Sequence, residues 1–131
     1  MDIDKYKDYA PVVVRVVIAL VFLWFGFNLV LDTENWLGWL PQWAFALPIS
    51  SELFLQLNGI FQAVFGAVLI SGYFTRISAL LLSLHLFGIA VNLGYNDIFI
   101  RDLGMSLITF GVFLHGPDKY CFEKKKQVEI Q

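Results

Sequence analysis

Residues 58–92, NGIFQAVFGAVLISGYFTRISALLLSLHLFGIAVN, decide the fold. Two apolar stretches are separated by a few residues in which Gly72 suits a helix end and Thr75-Arg76 a helix start. So short a connection makes the two helices antiparallel neighbours. Each carries polar groups in apolar surroundings: Asn58 and Gln62 on the first, His85 and Asn92 on the second. These four residues bear on function as much as on fold.

Outward from this hairpin the chain repeats the pattern. Of its 131 residues 58% are hydrophobic and 15% charged, with a mean hydropathy of +0.68. A soluble domain has about 25% charged residues. The apolar excess falls into four blocks, at about 10–31, 52–71, 76–93 and 98–115. About 20 apolar residues cross the hydrocarbon core as a helix, so the blocks predict an all-α integral membrane four-helix bundle forming a single domain, 1–131. The first block is too long for a cleaved signal peptide, and LDTENW (31–36) offers no small-residue cleavage site.

Residues 32–51, DTENWLGWLPQWAFALPISS, contain three Trp and no Lys or Arg. Tryptophan at that density belongs at the headgroup level, and the segment reads as one or two short helices broken at Pro41. It is either a lid or an anchor. Residues 1–9 read as a frayed lead-in, Asp97 as the N-cap of the last span, and 116–131 as a mobile charged tail. Lys5, Lys7, Arg76, Lys119 and Lys124–Lys126 fall on one side of this arrangement, which predicts cytoplasmic termini and an outer Trp segment. Arg15 reads as an interfacial anchor whose side chain snorkels to water. Gly59, Ala63 and Gly66 offer a small-residue face for close helix contact.

A net charge of −2, with the basic residues clustered towards one tail, gives no reason to expect nucleic acid. One cysteine, Cys121, excludes an intrachain disulfide. No residues have zinc-ligand spacing, so no metal is expected. Haem ligated by two His is disfavoured, because His85 is mid-span and His115 is at a span's end. Ser106 is the nearest candidate for Ser-His-Asp chemistry, with nothing to mark it as activated. Proton-coupled transport is disfavoured by the absence of repeats and broken helices.

Measured along the helices, Asn28, Asn58, Gln62, His85, Asn92, Arg101 and Asp102 fall at the centre or in the outer half of the spans, while the inner half is nearly pure hydrocarbon. Polar groups facing lipid are costly, which turns these inward. Two readings stand. The amides act as interhelical hydrogen-bond glue, or the group lines an outward-opening pocket for an amphipathic small molecule; His85, Arg101 and Asp102 favour the pocket. Arg101-Asp102 is also open to reading as a structural ion pair, although adjacent residues point to different helix faces, so that each needs its own partner.

The residues FGAVLISGYFTR (65–76), the leucine-rich third helix, Asp102 near the start of the fourth, LHGPDKYCFE (114–123), and Arg15 ahead of LVFLWFG (20–26) together resemble the DoxX family of small four-span membrane proteins. The resemblance leaves out the Trp segment. It implies a multi-pass prokaryotic inner-membrane protein, associated in some members with quinone-linked oxidase systems and in others with thiol-redox partners. Under it a bound quinone, membrane lipids, a redox partner protein or a second copy of the chain become candidate partners. The family commonly has a glutamate where this chain has Gln62, and a neutral amide accepts no proton. The sequence assigns no reaction. The alternative is a lipid- or partner-binding module without chemistry of its own.

Overall fold

A computed structural model describes residues 2–121, apart from the side chain of Leu93. Its helices are α1 (Ala10–Leu31), α2 (Ser51–Ser71), α3 (Thr75–Leu93) and α4 (Asp97–His115). At 1.5 Å per residue these are about 28–33 Å long, matching a hydrocarbon core of about 30 Å. All four are long and apolar enough to cross a membrane. The outward faces confirm the solvent: Val17, Leu20, Phe27, Leu57, Leu84 and Leu107 are all more than half exposed. Water would not tolerate such a continuous apolar surface.

Local chemistry sets the helix ends. Pro11 occupies the first turn of α1, where a missing N–H is harmless. Ser50 caps α2, its hydroxyl accepting from the Leu53 N–H at 3.1 Å. Gly72 ends α2 at φ +85°, where a side chain would be strained. The next turn begins at Phe74, itself left-handed at φ 47°. The N-cap of α4 is Asn96, not Asp97: its Oδ1 accepts from the Phe99 N–H at 2.9 Å, which leaves Asp97 in the first turn. Either side chain has the acceptor a cap needs, and the turn geometry selects the earlier one.

The helices form two tight pairs, α1 with α2 and α3 with α4. In the first, Gly26 meets the α2 backbone so closely that an added Cβ would lie 2.7 Å from Ala63 N and Gly59 O. Gly59 is equally confined, with Gly26 O 2.8 Å from its virtual Cβ. The second pair is joined at mid-depth by a reciprocal bridge. Ser83 Oγ donates to Ser106 O and Ser106 Oγ to Ser83 O, both at 2.9 Å. Ser106 is therefore a packing residue. Between the pairs, Ile18, Phe22, Leu69, Leu82 and Leu86 form the core.

The end carrying both termini departs from the expectation of bare hydrocarbon. Arg15 does not snorkel. It is 3% exposed and donates from Nε to Asp118 at 2.6 Å, and from Nη1 to the Leu69 and Ile70 carbonyls at 2.9 and 2.7 Å. The start of the expected tail, residues 116–121, therefore packs back onto the bundle, and Cys121 is fully buried against Gly72 and Thr75. An acid placed beyond a span's end supplied a nearer partner than water. Residues 122–131 lie outside the described residues. Nor is the lead-in frayed: Ile3–Tyr9 is a 3-10 helix running into α1, begun by Asp2 accepting from the Asp4 N–H. Its Tyr9 ring lies 6.1 Å from that of Tyr120.

Candidate functional site

The opposite end, beside the Trp segment, holds a cavity between the two helix pairs. The space between them is a chamber of about 420 Å³ lined by residues from all four helices and from the Trp segment. That segment is two 3-10 helices, Thr33–Trp39 and Gln42–Ala46, with the break at Pro41. Trp36, Trp39 and Trp43 face the chamber and roof it. Trp36 meets Phe25 edge-on at 5.7 Å, and Trp43 meets Phe54 edge-on at 5.9 Å. Trp43 Nε1 also donates to Asn92 Oδ1 at 2.9 Å, tying the roof to α3.

Six of the seven polar residues picked out along the spans line this chamber: Asn58, Gln62, His85, Asn92, Arg101 and Asp102. Asn28 does not. Its amide donates to the Trp24 carbonyl at 2.8 Å, and its place on α1 lies outside the chamber. Depth along a helix was right for Asn28, but depth does not determine facing.

Gln62 is almost wholly buried, and its Nε2 lies 3.4 Å from His85 Nε2. The pairing is long but directed: one imidazole tautomer accepts from the amide, and with the amide reversed the other donates to it. The Phe61 ring packs against the imidazole at 4.6 Å, fixing its plane from the side away from the chamber. Asn58 and Asn92 each donate to the carbonyl one turn earlier, Phe54 and Gly88, at 2.8 and 2.7 Å. This commits their nitrogens and presents their oxygens. Asn92 gives its oxygen to Trp43, whereas Asn58 keeps Oδ1 for the chamber.

Arg101 and Asp102 pair with each other, so of the two readings the sequence left open the structure takes the ion pair and not separate partners. Arg101 Nε and Nη2 both lie 2.9 Å from Asp102 Oδ1. The long arginine stem curls back along its own helix, which adjacency on a helical wheel conceals. The pair is asymmetric: the Asp102 side chain is 6% exposed and the Arg101 side chain 46%. The guanidinium sits 5.1 Å from the Phe25 ring centroid, a cation–π contact across to α1. Among the described residues no three His, Cys, Asp or Glu side chains gather in a way that could hold a metal ion.

The arrangement is thus an apolar, aromatic chamber with a few convergent polar groups from α2, α3 and α4, as small-molecule sites generally are. The DoxX family model matches residues 10–94, about two-thirds of the chain. The chain belongs to the DoxX family. The match takes in α1, the Trp segment, α2 and α3, and so covers more of the first half than the resemblance read from sequence. Asp102 and the closing Gly116-Pro117 segment lie beyond it. No curated protein and no solved structure matches the chain. Family membership accounts for the four spans, and the chamber's chemistry rests on this chain's own residues.

Proposed function

We propose that this DoxX protein binds an amphipathic small molecule in the chamber beneath the tryptophan roof, as a subunit or accessory of a quinone-linked or thiol-linked membrane redox system. The observation that carries the reading is the convergence of Gln62, His85, Asn58 and Asp102 on one apolar chamber at the end of the bundle. A flat head group with carbonyl or hydroxyl oxygens, such as a quinone, suits it. The aromatic walls take the ring, and Arg101, His85 and Asn58 offer both donors and acceptors. A lipid-like tail would leave between the helix pairs, where the outward surface is apolar. The protein's place in this reading is a prokaryotic inner membrane. Lys5, Lys7, Arg76 and Lys119 all belong to the end bearing the termini, which supports cytoplasmic termini and an outward-facing chamber.

A second reading, a lipid- or partner-binding module without chemistry, is favoured by a specific feature. Asp102 is paired with Arg101 and His85 with Gln62, so these ionisable groups of the chamber already have partners within the protein.

The test is gentle extraction followed by mass spectrometry of co-purified small molecules, with a short-chain quinone titrated against tryptophan fluorescence. Saturable quenching is expected, as three indoles face the site. His85→Leu and Asp102→Leu should weaken it by about tenfold, more than they lower the melting temperature. Normal retention in both variants would sink the reading. Recovery of phospholipid alone would select the second.

A further inference from the structure

A second cleft, of about 520 Å³, opens at the end of the bundle that bears the termini, between the start of α1 and the end of α4. Lys7, Asp8, Pro11, His115, Asp118 and Lys119 line it. We propose that this cleft binds the phosphate of an anionic lipid headgroup, held by the amines of Lys7 and Lys119.

The charges are less balanced than the lining suggests. Asp118 is already neutralised by the buried Arg15 at 2.6 Å, so among the described lining residues the two lysines are set against Asp8. Lys119 is also presented by an anchored turn. Its neighbours are fixed, Asp118 by Arg15 and Cys121 by burial against Gly72. Its Nζ stands 3.6 Å from the Tyr9 ring centroid and 5.3 Å from that of Tyr120. An amine held in this way loses little freedom when it binds an anion. His115 closes the wall, with Nδ1 3.0 Å from the Gly116 carbonyl.

Position identifies the anion's source. Pro11 is the second residue of α1 and His115 the last of α4, so the cleft lies where two spans leave the hydrocarbon. That is the level of lipid phosphates, and the exposed Tyr6, Tyr9 and Tyr120 are residues that favour it. The adjoining turns expose Val13, Val14, Phe110 and Leu114, apolar surface on which acyl chains can lie. Free phosphate would use the amines and leave that surface unused.

Native mass spectrometry of the full chain in detergent, with equimolar phosphatidylglycerol and phosphatidylcholine of identical acyl chains, tests the proposal. The wild type should retain the anionic lipid preferentially, and Lys7→Ala with Lys119→Ala should reduce that preference at least about fivefold per lysine. Lys7→Gln with Lys119→Gln should do the same while keeping the side-chain stems. Lys5→Ala, which removes a charge at the same end but outside the cleft, should change little. An equal loss in Lys5→Ala would show diffuse attraction and overturn the site, as would unchanged preference in both double variants. Displacement of the lipid by millimolar inorganic phosphate would overturn the lipid assignment.

Discussion

Arg15 and Asp118 show how one ion pair can organise a membrane protein's end. Each is almost fully buried, and the arginine also satisfies two carbonyls near the end of α2. Removing one partner strands the other, so Arg15→Leu should destabilise the protein by about 3–5 kcal/mol in detergent unfolding, whereas Arg15→Leu with Asp118→Leu should cost less. Burial pushes the Asp118 carboxyl up. The hydrogen bonds from Arg15 and the Tyr120 N–H, with the guanidinium's charge, outweigh it and hold the carboxyl below the ordinary carboxylate range. The sign follows: a depressed folded pKa stabilises above the unfolded value of about 3.9, and that contribution is lost as pH falls through the folded value. The clasp's share of the melting temperature should therefore be flat from pH 8 to 5 and decline below about pH 4, and Asp118→Asn should remove that acid limb. At the other end, Gln62→Leu leaves His85 without its amide and should cost about 1–3 kcal/mol, while Gln62→Glu keeps a polar partner within reach.

Close packing in the α1–α2 pair depends on missing side chains. A methyl on Gly26 would lie 2.7 Å from main-chain atoms of α2 that cannot step aside, so Gly26→Ala should cost about 1–3 kcal/mol as the helices part. Gly72→Ala adds a left-handed backbone to a clash 2.5 Å from Cys121 Cα, and should be the worse of the two. Gly104 and Gly111 on α4 have nothing within 4 Å of their virtual Cβ atoms. Alanine there should be neutral, or stabilising by up to about 1 kcal/mol through helix propensity. Thermal melts of the four single variants in one detergent separate a packing glycine from a dispensable one. The α3–α4 pair uses hydroxyls instead, and the Ser83–Ser106 bridge satisfies each serine with its neighbour's carbonyl.

The molecule as a whole has a clasped end and a chambered one. Arg15 ties α1 to the end of α2 and to Asp118 near the termini, and the chamber lies between the helices at the Trp segment. This asymmetry governs how topology must be probed. Cys121 is fully buried, so its failure to react with a reagent would report packing, not sidedness. In a Cys121→Ala background, Glu34→Cys should label from outside intact cells and Lys119→Cys should not, both being exposed positions. The reverse pattern would invert the proposed orientation and turn the chamber towards the cytoplasm.

The four spans, the turn at Gly72, the break at Pro41 and the level of the polar residues were all legible in the sequence. They depend on hydropathy, helix rise and local backbone chemistry, which a one-dimensional reading contains. Facing was only partly legible. A helix that is apolar nearly all round offers little contrast between its lipid and protein sides, so Asn28 and Asn58 look alike until packing points one into the chamber and leaves the other out. The Arg15–Asp118 clasp, 103 positions apart in the chain, and the return of residues 116–121 were decided by tertiary structure alone. Each is a choice among partners for a charge removed from water. That choice depends on which group is nearest in space, and the order of residues along the chain does not record it.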